Sequence, residues 1–112
     1  MTHELIETLD AAAAKERLRS FARARDWEQF HDPKNLTMAL GVEVAELAEH
    51  FQWLTNEQAR ELAAEGGTPD VCDELADVAI YLLRLADVLG VDLGAAVTSK
   101  IDRNETRFPP TG

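Results

Sequence analysis

An all-α fold, a bundle of four to five helices completed by homo-oligomerisation, is predicted by three observations on this 112-residue chain. Two apolar-rich stretches carry acidic pairs at helical i, i+3 spacing, Glu43-x-x-Glu46 and Glu74-x-x-Asp77. Capping residues, N1 prolines and terminal glycines fall between the stretches, where helix ends require them. No segment reads convincingly as a strand, and no heptad pattern persists long enough for a free coiled coil.

The first helix is expected from about Thr2 to Arg25. Ala11 to Ala14 give it strong intrinsic propensity, and Leu5, Leu9, Leu18 and Phe21 mark its apolar positions. Asp26 to His31 then reads as a break that gathers Trp27, Phe30 and His31, rings that either plug the end of the bundle or contact a ligand. His31-Asp32 looks superficially like a metal-binding pair, but Asp32 as N-cap and Pro33 at N1 account for it without a metal. The second helix should run from Pro33 to about Leu54. Thr55 caps a short third helix with Gln58 at the capping-box position, and Gly66-Gly67 ends it. Thr68 and Pro69 start the fourth, which stops at Gly90. Asp92 caps the fifth, which reaches about Phe108 before Pro109-Pro110.

The acids lie within the apolar stripes, not opposite them. With Glu43 as zero, Leu36, Leu40, Leu47, Phe51 and Leu54 fall within about 80° of it, and Glu46 and His50 share the sector. Val71, Val78, Leu82, Leu85, Val88 and Leu89 surround Glu74 and Asp77 in the same way, with Tyr81 where the other helix has His50. Four inward carboxylates repel by about 4 kcal/mol per close pair at an effective dielectric near 20. No Lys or Arg occurs between Lys34 and Arg60 or between Arg60 and Arg84, and Arg84 alone cannot balance four anions. A hard divalent cation held through oxygen is therefore expected, Mg²⁺ first, with Mn²⁺ able to substitute.

Lys100, Arg103, Asn104 and Arg107 share one face of the last helix. Such a stripe is ordinarily solvated surface, but in an acidic chain it is also what recognition of a triphosphate requires.

The length suits one domain, residues 1–112 with a core of about 18–108, and 46% hydrophobic with 29% charged residues is an ordinary globular composition. A net charge of -10 argues against a nucleic-acid polymer as partner. No apolar run approaches membrane-spanning length, and residues 1–7 do not form a signal peptide. The single Cys72 is expected to pack, and it fits a reducing, cytoplasmic compartment. The two acidic helices are also apolar on their backs, through Val44, Ala45 and Ala48 in one and Cys72, Ala76, Ala79 and Leu83 in the other. Helices apolar all round need cover, so a homo-oligomer is expected.

The acidic pairs, separated by 27 intervening residues, resemble the signature of the all-α nucleoside triphosphate pyrophosphohydrolases of the MazG type. Arg25-Asp26-Trp27-Glu28-Gln29-Phe30-His31, the Gly41 to Glu49 block, Phe51-Gln52-Trp53 and Lys100-Ile-Asp-Arg-Asn are similar to the dCTP pyrophosphatase branch, over roughly residues 18–110. The resemblance implies Mg²⁺-dependent hydrolysis of a nucleoside triphosphate to monophosphate and pyrophosphate, with dCTP or a modified dCTP as the candidate substrate. It implies Glu43, Glu46, Glu74 and Asp77 as metal ligands, Trp27 and Trp53 lining a base pocket, and His31 and Tyr81 as nucleotide contacts. Lys100, Arg103, Asn104 and Arg107 become candidates for phosphate contacts, and assembly as a homodimer or homotetramer is expected. Glu46 is the candidate general base, with Glu43 beside it. Some relatives carry a His nine positions before Trp27, where this chain has Leu18, which leaves the choice of base open. Two other classes compete: a non-catalytic helical dimerisation or adaptor module, and a di-iron carboxylate bundle. The latter characteristically uses Glu-x-x-His, whereas His50 stands four positions after Glu46.

Overall fold

In the computed structural model, which describes residues 8–111, local capping chemistry sets most helix boundaries. The elements are α1 (Ala11–Ala24), a single 3-10 turn (Glu28–Phe30), α2 (Pro33–Glu49), α3 (Asn56–Ala64), α4 (Pro69–Leu89) and α5 (Leu93–Arg107). Five helices and no strand among the described residues make the chain all-α, as predicted.

The Asp32 and Thr68 side chains accept from the backbone N–H of Asn35 and Val71, with Pro33 and Pro69 in the first turns of α2 and α4. Thr55 and Gln58 form the reciprocal capping box of α3. Asp92 accepts from Ala95 N–H at the start of α5. Each such cap stabilises its helix end by about 1 kcal/mol. Gly90 ends α4 at φ 69°, ψ 27°, the left-handed geometry that only glycine enters without strain.

Two boundaries differ from expectation. Helix α1 begins at Ala11 because Asp10 turns out of the helix and accepts from Ala13 N–H. The part of that helix expected over 2–7, and the reading of the N-terminus as lacking a signal peptide, lie outside the described residues. Helix α2 ends at Glu49, not Leu54. The Phe51 and Gln52 N–H groups both donate to Ala48 O, which winds the chain into turns and leaves Trp53 outside the helix.

Helix α2 packs along α4, and α1 packs on α4 from another side. Leu36, Val71, Leu83 and Ala86 are buried with Ala14 and Ala22 of α1, so α4 is the central rod. Helix α5 contributes no buried residue. Cys72, expected to pack, is exposed, with its sulfur 3.8 Å from Gly66 O. The expected alternative in which Trp27 and Phe30 plug the bundle end is not what folding produces, since they are 46% and 61% exposed. No helix among the described residues is long and apolar enough to cross a membrane.

Candidate active site

The α2–α4 seam brings the acidic pairs together. One carboxylate oxygen each from Glu43, Glu46 and Glu74 lies within 4.8 Å of the others. Glu43 and Glu74 are half-buried and Glu46 is exposed. Glu43 Oε2 and Glu74 Oε1 are buried and have no hydrogen-bond partner. Ionised carboxylates only accept, so these two can bond to each other only by sharing a proton. The facing Glu74 carboxyl, first, and burial, second, push the Glu43 carboxyl above its usual range, and the charge of Asp77 pushes the same way against an opposing pull from Glu46. Asp77, half-buried one turn along α4, stands outside the three-carboxylate grouping.

Among the described residues no cation relieves this crowding. Arg84 is buried but donates to Asp87 and to His31. Lys100, Arg103 and Arg107 form no ion pair with an acid among the described residues; Arg103 donates to Ser99, and Arg107 lies over the Phe108 ring. A cluster of hard, partly dehydrated oxygen donors with two unpartnered members has the chemistry of a divalent-cation site. The residues present therefore fit a metal ion.

A cavity of about 560 Å³ opens between α1 and α4, and Trp27, His31 and Tyr81 all line it. Trp27 stands edge-on to both Phe21 and His31, at centroid distances of 5.6 and 6.5 Å. The wall is mostly apolar, with Arg17 and Arg84 as its charged members. Such a space suits a flat, partly polar ring. Trp53 is 87% exposed and lines neither the cavity nor the acidic cluster. Lys100, Arg103, Asn104 and Arg107 also stand apart from both, on α5, and of these four only Asn104 is half-buried.

Residues 38–110 match the MazG-like family. This chain belongs to the MazG-like family. Within it, the chain is 50% identical over 93 residues to human dCTP pyrophosphatase 1 and 49% identical over 96 residues to the rat protein of that name. These matches take in 80% of the chain but 53% of each relative, so the chain spans about half the length of the curated relatives it matches. A crystal structure of a pyrophosphatase from Archaeoglobus fulgidus DSM 4304 superposes with a TM-score of 0.80 at 35% identity, covering 98% of this chain and 100% of that one. The MazG-like assignment agrees with the resemblance carried by the acidic pairs.

Sequence reasoning missed the contribution of α1. Arg19 of α1 donates through Nε to Asp87 Oδ2 at 3.0 Å, and Arg84 donates to the same oxygen at 3.0 Å. The hydrogen bond to Arg19, together with both arginine charges, holds the Asp87 carboxyl below the usual range against the cost of burial. The i, i+3 spacing of Arg84 and Asp87 was the one local signal for this network. Its partner on α1, 68 positions away, left none.

Proposed function

We propose that this chain is a divalent-metal-dependent nucleoside triphosphate pyrophosphohydrolase. It cleaves a (deoxy)nucleoside triphosphate, with dCTP or a modified dCTP as first candidate, to the monophosphate and pyrophosphate in nucleotide-pool sanitation. The observation that carries this reading is the pair of buried, unpartnered oxygens of Glu43 and Glu74 across the α2–α4 seam. Glu43, Glu46, Glu74 and Asp77 would hold Mg²⁺, or Mn²⁺ in its place. When bound, the ion would offset charge on the phosphate oxygens.

The chain's own groups supply the rest. Glu46, the exposed member of the cluster, is the candidate base for the attacking water, because it has solvent on one side and the carboxylate grouping on the other. Trp27, His31 and Tyr81 line a space for the base, and Trp53 offers a further stacking face. Lys100, Arg103, Asn104 and Arg107 are the candidate phosphate contacts, supported by their shared face on α5.

Self-association, as a homodimer or homotetramer, is part of the reading. Met38, Val42 and Val44 on α2 and Leu75 and Leu82 on α4 are 41–66% exposed. A partner copy would cover these faces and could bring the α5 and Trp53 contacts toward a neighbour's carboxylates. A cytoplasmic location is proposed from the lone thiol.

The decisive assay is Mg²⁺-dependent pyrophosphate release from a panel of normal and modified nucleoside triphosphates. Release from at least one of them, lost on chelation, is expected. Folded protein that releases none would overturn the proposal in favour of an adaptor.

A further inference from the structure

The cavity between α1 and α4 contains one polar arrangement that the reaction above leaves without a role. Arg84 is 7% exposed, and its Nε donates to His31 Nδ1 at 3.0 Å. On its other side Nη1 donates to Asp87 Oδ2 at 3.0 Å, an oxygen that Arg19 also grips from α1. The guanidinium is thus anchored by a carboxylate that is itself anchored, and its Nε–H is aimed at the imidazole.

A guanidinium carries donors only and stays protonated throughout the working pH range. The His31 nitrogen facing it must therefore accept, so it bears no hydrogen. In the neutral ring the single proton then resides on Nε2. Burial first, and then the Arg84 charge, disfavour the imidazolium, with only Glu28 pulling the other way. Arg17 of α1 and Tyr81 of α4 line the same cavity without reversing that balance.

We infer that Arg84 is a positioning residue: it fixes His31 as the Nε2–H tautomer, so that the wall carrying Trp27 and Tyr81 offers a hydrogen-bond donor to an acceptor on the ligand's ring, such as a pyrimidine carbonyl oxygen. Stacking on Trp27 accepts any base, whereas a donor of fixed identity selects ring edges that accept. The identity of the ligand rests on the nucleotide reading above; the tautomer does not.

Long-range ¹H–¹⁵N correlation spectra of the labelled full chain read the tautomer directly, with the ring assigned through His31→Gln. In the wild-type protein at neutral pH, Nε2 is expected to be protonated and Nδ1 to carry the shift of an accepting nitrogen. In Arg84→Met the ring should become a mixture of tautomers, while Asp87 keeps its bonds to Arg19. The KM for the preferred nucleoside triphosphate should rise roughly tenfold, as for one lost hydrogen bond, with kcat within about twofold. His31→Gln, whose amide N–H stands near the old Nε2, should retain more affinity than His31→Asn, whose amide replaces Nδ1.

A protonated Nδ1 or a tautomer mixture in folded wild-type protein overturns the inference, and so does an unchanged KM in Arg84→Met. Should that variant fail to fold, the wild-type spectrum and the Gln/Asn comparison still decide the matter. Absence of all turnover beside an intact Nε2–H signal would sink the functional reading and leave the tautomer standing.

Discussion

Glu43 on α2 and Glu74 on α4 place carboxylate oxygens within 4.8 Å of each other, and each keeps one buried oxygen without a hydrogen-bond partner. Two such groups oppose folding unless a proton or a cation lies between them. Glu74→Gln removes one charge at nearly constant shape. The expected outcome is a higher Tm for the metal-free protein, loss of any further rise on adding Mg²⁺, and turnover lower by at least about 100-fold. Calorimetric scans with and without Mg²⁺ check all but the last. A lower metal-free Tm combined with an undiminished Mg²⁺ response would show that the two oxygens neither repel nor bind.

Trp53 separates stability from binding more cleanly than any other ring. At 87% exposed it contributes little to packing, so Trp53→Ala should leave the thermal transition where it is. If the indole stacks on the base, the lost contact of about 1–3 kcal/mol raises KM roughly 5- to 150-fold. Steady-state kinetics on the best substrate of the panel is the measurement. An unaltered KM would remove Trp53 from the site.

What could be read in advance follows from the range of the interactions involved. Helix starts at Pro33, Asn56, Pro69 and Leu93 were legible because a cap satisfies N–H groups two or three residues away, and that chemistry is written locally. The end of α2 was not, because no glycine or proline marks residues 50–54 and the chain leaves the helix through bonds back to Ala48. The alanine run at 11–14 favours helix without marking a start, so the Asp10 cap alone fixes where α1 begins. The approach of Glu43 to Glu74 was legible because both angular positions point into apolar stripes that must meet. Spacing did not distinguish exposed Glu46 from half-buried Asp77, nor did it join Arg84 to His31, since a contact over 53 positions leaves no periodic trace.

The Arg19–Asp87–Arg84–His31 chain predicts a two-stage loss of stability in acid. His31 titrates below its usual 6.5 in the folded protein, through burial and then the Arg84 charge, against the pull of Glu28. Just below pH 6.5 the unfolded chain therefore takes up a proton that the folded chain refuses. Stability falls from there until the folded value is reached. Asp87 is shifted below its usual 3.8 chiefly by the hydrogen bond to Arg19, so its contribution is complete above that value and is lost as pH falls through the folded one. Urea unfolding across pH should show both slopes. His31→Asn should flatten the upper one and Asp87→Asn the lower. An upper slope unchanged by His31→Asn would place the titrating group elsewhere.

The apolar backs of α2 and α4 set the last prediction. Val44 is 48% exposed and Val42 56%, on the two flanks of a helix whose stripe between them buries Leu36 against α4. A β-branched pair left in water on a structured helix gains nothing from that exposure, whereas burial against a second copy recovers about 25 cal/mol for each Å² of apolar area removed from solvent. Light scattering at micromolar concentration should therefore return a multiple of 12.4 kDa. Val44→Glu should shift the mass toward the single chain, because a carboxylate buried in such a seam would have no partner. If assembly also brings α5 cations toward a neighbour's carboxylates, turnover should fall with the mass, and the fall should be reversed at higher protein concentration. A wild-type mass of one chain, with full pyrophosphate release, would mean that the exposed valines serve no interface and that the site is complete within one copy.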